Sequence, residues 1–266
     1  MRTFEEVIAR MPKAQYFTTL DASHGFWQIP LDHESALKTA FNTPYGRYYF
    51  KRLPVGIKSA PEIFQEAMDQ MFSGCPCEII VDDILVWGET EGEHDHKLLQ
   101  VLDRAREVNL KLKVKKFQFK SKQLGYVGHA LTSEGVKADP EKIRAVVEMQ
   151  TPDDAKSLRR FLGMVTYLSK FIPQLSEASA PLRKSLRDGV PWFWRDEQQE
   201  AFDNIKRAIT TDSVLQFYDV QVKLTCDASS HGLGAACLQD GKPVAYASRA
   251  NYQQRKRSMH KLRRRC

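Results

Sequence analysis

Two adjacent acidic residues, Asp82 and Asp83, interrupt an otherwise apolar stretch, EIIVDDILVWG at 78–88. Apolar residues on both sides of a polar pair predict two short strands joined by a tight turn. Neighbouring carboxylates at the tip of such a hairpin repel each other, and one would take up a proton unless a cation lay between them. The pair therefore indicates either a solvent-exposed acidic turn or a site that binds a cation.

A third acid follows another strand-like segment. YFTTLDAS at 16–23 combines aromatic and β-branched residues and carries Asp21 near its carboxyl end. If this strand lies beside the hairpin, three carboxylates converge on one point. Such oxygen ligands suit Mg²⁺, and two ions of this kind can stabilise the attacking and leaving oxygens of a phosphoryl displacement. The second acid favours a cation site, and the exposed acidic turn stays open as the alternative.

The remaining segments predict a mixture of helices and strands. The predicted strands are a pair at 36–52 around a turn at Pro44–Gly46, LKLKV at 110–114, QLGYVGHALT at 123–132 and a three-stranded meander at 222–250. The predicted helices are 59–72 with Ser59 as its cap, 94–110, 139–150, 153–172 and 191–209. The helices after Gly135 predict a small bundle.

The net charge of +7 is not by itself a sign of nucleic acid binding. Residues 251–266 contain seven basic residues and no acid, so residues 1–250 carry 33 of each sign and are neutral. Local charge is more informative, because 111–122 contains six lysines and no acid. This run is either a solvated face or a strip that follows a phosphate backbone.

Cysteine spacing and hydropathy argue against other classes. Of the five cysteines only Cys75 and Cys77 are close together, and they have no second pair to complete a zinc site. No apolar run approaches the roughly 20 residues that span a bilayer, and the N-terminus does not resemble a secretory signal. We therefore expect an intracellular protein, of cytoplasm or nucleus, without a membrane partner.

Five motifs follow one another in a fixed order. They are LDASHGFWQI (20–29), FKRLPVGIKSAPEIFQ (50–65), IIVDDILVWG (79–88), LKLKVKKFQF (110–119) and LGYVGHALTSEGV (124–136). In this order and spacing they resemble the palm of reverse transcriptases from gypsy-class LTR retrotransposons. RRFLGMVTYLSKFI (159–172) is similar to the thumb of that family, and LTCDASSHGLGAACLQ (224–239) to the start of its RNase H domain.

The resemblance implies an α+β fold, a right-hand polymerase palm with partial fingers and a helical thumb, followed by a truncated α/β RNase H-like domain. The expected domains are the palm with partial fingers at 1–136, the thumb or connection at 137–188, the start of the RNase H-like domain at 189–250 and a basic aberrant tail at 251–266. The expected function is RNA-directed DNA polymerase. The alternatives are a catalytically dead retroelement remnant and a protein classed as RNase H through its C-terminal segment.

The resemblance also assigns roles to residues. Asp21, Asp82 and Asp83 are the expected catalytic residues; Asp21 and Asp82 bind two Mg²⁺ ions, with Mn²⁺ also possible. The expected nucleotide-binding residues are Ala22, Phe26, Gly56, Gln65 and Lys116. The expected primer grip is Leu124, Gly125, Tyr126, Val127, Gly128 and His129. The expected partners are an RNA or DNA template-primer and deoxynucleoside triphosphates; the oligomeric state is not specified.

Two of these assignments carry alternatives, and one further acid is matched in the RNase H segment. Phe26 matches the aromatic residue that excludes ribonucleotides by clashing with a 2′-hydroxyl, and its other interpretation is a plain core residue. Lys116 matches a lysine near the leaving pyrophosphate, but Lys115 is an equal candidate by spacing. Asp227 matches one of the four RNase H acids, and because only this one lies on a matched motif we expect no nuclease activity.

The two ends of the chain also differ from the family pattern. The chain starts after the fingers segment, whose basic residues grip the triphosphate, so we expect a truncated copy. The tail at 251–266 replaces the segment that holds the second RNase H acid. Read in a shifted frame, a coding string for the tail gives that segment, which predicts a frameshift near Ala250 or Asn251. The alternative is a genuine basic arm that binds nucleic acid.

Overall fold

The computed structural model describes residues 3–187, 189–210, 214–217, 223–228, 232–239 and 241–250. The chain divides into two compact units. The first contains residues 1–127 and 131–133, and the second contains residues 128–130 and 134–266. The basic tail at 251–266, with its two interpretations, lies outside the described residues.

The first unit combines helices with short strands. Its elements are α1 (Phe4–Ile8), β1 (Tyr16–Asp21), α2 (Gly25–Gln28), α3 (His33–Lys38), β2 (Phe41–Thr43), β3 (Gly46–Tyr48), α4 (Ala60–Met71), β4 (Glu78–Ile80), β5 (Asp83–Gly88), α5 (Glu91–Glu107), β6 (Gln118–Ser121) and β7 (Gln123–Tyr126). A short 3-10 turn, Val114–Lys116, precedes β6. The boundary between the two units falls within β8 (His129–Thr132).

The centre of the first unit is an antiparallel sheet with strand order β4-β5-β1-β6. The four inner residues of β1 are buried, so this strand is covered on both faces. The helices α4 and α5 contribute Phe64, Met68 and Val101, all fully buried, to the same core as Leu20 and Ile84. Because apolar burial is the main stabilising force in folding, this core fixes the ends of β1 and β5, where the acids lie.

Several predicted elements of the first unit are confirmed. The strand ending at Asp21, the hairpin that contains Asp82 and Asp83, and the helix at 59–72 are all present. The turn at Pro44–Gly46 joins β2 to β3 as expected, and Gly46 adopts a φ of 128° that an L-residue rarely takes. These are the segments in which hydrophobic pattern and turn residues agree.

Other predictions for this unit were wrong in detail. LKLKV at 110–114 is not a strand: Leu112 forms one isolated bridge with Ala22, and the chain then tightens into the 3-10 turn. Ser59 lies at the start of α4 but makes no capping hydrogen bond. Its φ of −85° and ψ of −5° are helical, whereas a capping residue usually has extended dihedral angles. Residues 36–38, predicted as strand, belong to α3.

The second unit contains helices followed by a strand meander. Its further elements are β9 (Gly135–Ala138), α6 (Pro140–Val147), α7 (Ala155–Tyr167), α8 (Leu175–Ala178), α9 (Ala180–Lys184), α10 (Asp196–Thr210), β10 (Lys223–Ala228), β11 (Gly232–Gln239) and β12 (Lys242–Ala250). The rings of Phe161 and Phe202 pack at 4.5 Å between centroids and join α7 to α10. The predicted helices and the antiparallel meander β10-β11-β12 are confirmed.

Among the described residues, none of the helices combines the length and the apolar character that crossing a bilayer requires.

Candidate active site

Strand pairing brings the three predicted acids to one end of the central sheet. In the β1–β5 register Asp21 lies directly opposite Asp83. Asp82 lies in the two-residue turn between β4 and β5, and its backbone carbonyl accepts a hydrogen bond of 3.1 Å from the amide of Ala22. The acids are therefore placed by backbone pairing and not by side-chain contacts alone.

The turn that carries Asp82 is strained, and hydrogen bonds between the Gln65 side chain and the hairpin backbone stabilise it. Val81 has a φ of 53°, a conformation that β-branched residues rarely adopt. The Gln65 side chain is buried, accepts a 2.7 Å hydrogen bond from the amide of Val81 and donates one of 3.1 Å to the carbonyl of Ile79. Strain of this kind persists only where the surroundings enforce it. Gln65, expected at the nucleotide, thus contacts the hairpin backbone beneath the acids.

The electrostatics of the acids are unfavourable in isolation. Burial, followed by repulsion from Asp21 and Asp83, raises the pKa of Asp82, and Lys116 offsets part of this. Burial and Asp21 likewise raise the pKa of Asp83. Within the described part of the chain, no donor reaches the buried Oδ1 atom of Asp82. An unsatisfied buried carboxylate oxygen is costly, so the site is suited to receiving a cation.

Lys116 forms an ion pair with Asp21. Its Nζ atom donates to Asp21 Oδ2 at 2.5 Å, and this contact raises the pKa of Lys116. Backbone contacts determine the position of this lysine. The amide of Lys113 donates to the carbonyl of Asp21 at 2.8 Å, and the 3-10 turn that follows places Lys116 beside the Asp21 carboxylate. Both Lys115 and Lys116 line a recess of about 350 Å³ whose walls also include Asp21 and Asp83.

The donor set fits a divalent cation, although it is not arranged as a finished ligand cage. Hard carboxylate oxygens are the ligands that Mg²⁺ prefers. Among the described residues, the buried Oδ1 atom of Asp82 has no hydrogen-bond partner, so it can serve as such a ligand. Across the described residues, no three acidic, histidine or cysteine side chains already converge as a metal-binding group. In this arrangement the ammonium group of Lys116 provides the positive charge beside Asp21.

Gly25 is a residue that the sequence analysis missed. A Cβ atom at this position would lie 2.5 Å from Asp82 Oδ1 and 2.7 Å from Cζ of Phe64, closer than real Cβ contacts. The first turn of α2 therefore approaches the Asp82 carboxylate with no room for a side chain. The signal in the sequence was a glycine four residues after Asp21, inside the motif LDASHGFWQI.

Gln28 is a second missed residue, and it joins the two segments that carry Asp21 and Lys116. Its Nε2 atom donates to the carbonyl of Ser23 at 2.7 Å and to that of Lys111 at 2.9 Å, and its Oε1 atom accepts from the amide of Lys111 at 2.8 Å. One side chain thus holds the loop after β1 against the segment that leads to Lys116.

We expect Gln28→Leu to lower the free energy of unfolding by about 1–3 kcal/mol. The carbonyl of Ser23 and the amide of Lys111 lose their bonds to Gln28, and the carbonyl of Lys111 keeps its bond from the amide of Ser23. Gln100→Leu is the matched control, since Gln100 is an exposed residue of α5 whose side chain bonds to the exposed His96. Chemical denaturation measures both. Equal stability of the two variants would contradict the role of Gln28 as a link.

Phe26 and Gly56, two of the expected nucleotide-binding residues, lie in α2 and in a turn that precedes α4, respectively. Phe26 is half-buried and packs edge-on against Phe64, with 5.4 Å between ring centroids. Its position is consistent with both interpretations of this residue, since one edge packs on the core and the rest is accessible. Gly56 has a φ of 92°, which favours glycine, and follows the exposed Val55.

The predicted primer grip divides between the two units. In the first unit Leu124 is buried, Gly125 lines the recess beside the acids, and Val127 is exposed with a φ of 48°. The hydroxyl of Tyr126 donates to the backbone carbonyl of Asp83 at 3.4 Å. This contact joins the segment directly to the strand that carries the acid.

The last two residues of that prediction belong to the second unit. Gly128 has a φ of 72°, and its carbonyl accepts a long hydrogen bond of 3.5 Å from the hydroxyl of Tyr167. The ring of His129 stacks on Tyr167 at 5.8 Å between centroids, and Lys142 Nζ lies 3.7 Å from the centroid of the Tyr167 ring.

The backbone of Asp227, the predicted RNase H acid, pairs opposite Gly234 within the meander.

An antiparallel sheet with an acid at the end of a central strand, two more in the adjoining hairpin and two helices behind it has the architecture of a nucleic acid polymerase palm. Family comparison agrees with this class. Residues 1–166 match the family model described as "Reverse transcriptase (RNA-dependent DNA polymerase)", and residues 194–266 match "RNase H-like domain found in reverse transcriptase". The chain belongs to the reverse transcriptase family, in the region where the polymerase is followed by an RNase H-like domain.

The relatives are Pol polyproteins of retrotransposons. The chain is 36% identical over 251 residues to the retrovirus-related Pol polyprotein from transposon 297 of Drosophila melanogaster, a match that covers 92% of this chain and 24% of the relative. It is 31% identical over 266 residues to the Pol polyprotein from transposon gypsy of the same organism, covering 94% and 26%. The chain thus spans about a quarter of the length of these relatives, and the predicted gypsy-class resemblance is confirmed.

Solved structures confirm the fold. The chain is similar to the foamy viral protease-reverse transcriptase in complex with double-stranded DNA, with a TM-score of 0.85, 24% identity and coverage of 95% of this chain and 46% of the other. A second structure of a foamy viral protease-reverse transcriptase, in complex with an RNA/DNA hybrid, gives a TM-score of 0.84 at 24% identity. The predicted α+β reverse transcriptase fold is therefore correct.

Proposed function

We propose that the chain is the RNA-directed DNA polymerase portion of a retrotransposon polyprotein. The observation that carries the proposal is the placement of Asp21 opposite Asp83, with Asp82 in the adjacent turn, within a chain of the reverse transcriptase family. No contact or comparison favours the two alternatives, a dead remnant and a nuclease. The foamy viral relatives whose structures contain nucleic acid support a template-primer as partner.

The reaction is transfer of a deoxynucleotide from its triphosphate to a primer 3′-hydroxyl. We assign Asp21 and Asp82 as the ligands of two Mg²⁺ ions, with Mn²⁺ as a possible replacement, and Asp83 as a supporting acid. When bound, such ions stabilise the attacking and leaving oxygens of an in-line displacement. The Ala22 backbone, Gly56 and Gln65 shape the floor of the nucleotide site, and residues 124–129 hold the primer terminus.

Primer extension tests the proposal. With Mg²⁺, a DNA primer annealed to an RNA template and the complementary deoxynucleotide, we expect the primer to lengthen by the templated nucleotide. Omission of Mg²⁺ or of the template should abolish the product. A chain that binds the template-primer but never extends it, with either Mg²⁺ or Mn²⁺, would contradict the proposal.

We assign the contact with the leaving pyrophosphate to Lys116 rather than Lys115, because Lys116 already bonds to Asp21. Lys116→Gln should reduce the incorporation rate by about 100-fold, the usual loss when one charge-stabilising donor is removed. Lys115→Gln is the matched control and should change the rate far less. Rapid-quench measurement of one incorporation event compares them, and equal losses would make Lys115 an equal candidate again.

We also assign Phe26 as the residue that excludes ribonucleotides. Phe26→Val should reduce discrimination against a ribonucleoside triphosphate by about 100-fold, the scale on which a shaped pocket rejects one added hydroxyl. The readout is the ratio of kcat/KM for the two sugars, each on the same template. A core role alone would lower both values together and leave the ratio unchanged.

The domain limits and the location of the protein belong to the same proposal. We assign 1–136 to the palm with partial fingers, 137–188 to the thumb and 189–250 to the RNase H-like segment.

An intracellular setting would suit a polymerase that consumes deoxynucleoside triphosphates. Nuclease activity is not proposed, since Asp227 is the one acid that we can assign to that chemistry.

A further inference from the structure

A row of aromatic rings runs along one side of the β2–β3 hairpin. The ring centroids lie 5.5 Å apart between Trp27 and Phe50, 5.2 Å between Phe50 and Phe41, and 6.3 Å between Phe41 and Tyr48. We name these four residues the aromatic ladder. Trp27, Phe41 and Tyr48 are 40%, 43% and 49% exposed, so the ladder presents its ring faces and edges to solvent instead of filling the core.

The hairpin also holds a fifth ring at its tip. Tyr45 is 89% exposed. The turn beneath it is defined by hydrogen bonds, because the Thr43 hydroxyl accepts from the amide of Tyr45 at 3.2 Å and donates to the carbonyl of Gly46 at 2.8 Å. The backbone of this exposed tyrosine is therefore fixed in advance, which lowers the entropy lost when its ring binds a partner.

Most of the charged side chains around the hairpin are basic; Glu34, which pairs with Lys38 at 3.1 Å, is an acid that lies just before it. Between residues 36 and 58 the chain contains five basic residues and no acid. The basic residues are Lys38, Arg47, Lys51, Arg52 and Lys58, and all five are exposed. Residues 1–250 are neutral in total, so this is a local concentration of positive charge and not a consequence of the basic tail. Its partner should carry negative charge.

We propose that the aromatic ladder and Tyr45 form a binding surface for single-stranded nucleic acid. Bases would stack on the exposed rings while the basic residues neutralise the phosphates, which is the combination that proteins use to bind single strands without regard to sequence. An anionic partner with planar groups satisfies both features, whereas a second copy of this basic surface would bring like charges together. The inference rests on the proposed function in taking nucleic acid as the partner.

Fluorescence anisotropy in EDTA tests this surface separately from catalysis. The full chain is titrated into a labelled single-stranded oligonucleotide and, in parallel, into a strand of equal length and charge that lacks bases. Tyr45→Ala combined with Tyr48→Ala should weaken binding to the base-bearing strand by about tenfold or more. The same variant should bind the abasic strand as the wild type does. Tyr45→Phe with Tyr48→Phe keeps the rings and should restore binding.

Any other pattern of binding overturns the inference. Equal weakening on both strands would mean that the tyrosines act through fold or charge, and unchanged binding would mean that the bases stack elsewhere. A shift from dimer to monomer in light scattering, with unchanged binding of strands, would assign the surface to a second copy of the chain. Failure of primer extension with the expected binding pattern would remove the proposed polymerase activity and leave this surface in place.

Discussion

Replacing Asp82 with asparagine should lower the rate of primer extension by about 1000-fold or more. Metal ions contribute several kcal/mol of transition-state stabilisation, and each 1.4 kcal/mol or so is worth about a factor of ten in rate. Asparagine keeps the size of the side chain but removes the charge that would hold a cation. Asp103→Asn, at an exposed carboxylate of α5 paired with Arg106, is the matched control and should leave the rate unchanged.

The same substitution should make the metal-free chain more stable at pH 7. The pKa of Asp82 is raised in the folded state from 3.8 by burial and by the neighbouring acids. A carboxyl whose folded pKa exceeds its unfolded pKa destabilises the fold at pH values above both, and this cost disappears below the unfolded value. The gain from Asp82→Asn should therefore be present at pH 7 and fade as the pH falls towards about 4.

Thermal unfolding in EDTA measures that gain. A shift of roughly 2–4 °C corresponds to about 1 kcal/mol in a domain of 150–250 residues, and we expect a change of this size. Loss of activity together with higher stability would show that Asp82 serves catalysis at a cost to the stability of the folded state. A variant that loses both would instead indicate a structural role for Asp82.

Gly25→Ala should reduce the rate of nucleotide incorporation by about 100-fold. The added methyl group would need to occupy space 2.5 Å from Asp82 Oδ1 and 2.7 Å from Phe64, so the carboxylate or α2 must move. Displacement of a reacting group by about 1 Å is enough for a loss of this order. Overpacking of this kind should also lower the free energy of unfolding by about 1–3 kcal/mol.

Gly92→Ala is the matched control for this substitution. Gly92 lies in the first turn of α5, and a Cβ atom there meets nothing within 4 Å. Single-turnover incorporation at saturating nucleotide compares the two variants, so that a change in binding does not obscure the chemical step. If both variants retained the wild-type rate, the close approach of α2 to Asp82 would have no part in the site.

The sequence predicted the site best where adjacent segments encode local structure. The strand to Asp21 and the hairpin around Asp82 could be predicted because apolar residues bracket the acids and leave few other conformations. The sequence could not show that the two segments lie side by side, because strand pairing is a tertiary event. The β1–β5 register supplies the missing step by setting Asp21 opposite Asp83.

Residues that act through long-range contacts could not be predicted. Gln28 reaches across 83 positions to Lys111, and Gly25 matters because of a carboxylate 57 positions later. LKLKV alternates as a strand should, yet the amide of Lys113 bonds to the carbonyl of Asp21 and the chain turns away. In each of these cases tertiary contacts, and not local propensity, determine the conformation.

The choice between Lys115 and Lys116 shows the same limit. Spacing made them equal, since neighbouring residues share composition and charge. The 3-10 turn separates them, because it carries Lys116 towards Asp21 and within 2.5 Å of its carboxylate. The resemblance gives the chemistry expected at this position, and the turn geometry is the reason that we propose Lys116 for it.

The most direct test of the proposed metal site is single-nucleotide extension of a primer on an RNA template, followed across a titration of Mg²⁺. The wild-type chain is measured beside Asp21→Asn and Asp103→Asn, each at the same concentration and with binding of the template-primer verified. We predict that extension by the wild type and by Asp103→Asn rises with Mg²⁺, while Asp21→Asn gives no product above background. Equal extension by all three chains would contradict the assignment of the acids at the end of β1 and in the adjoining hairpin as a polymerase metal site.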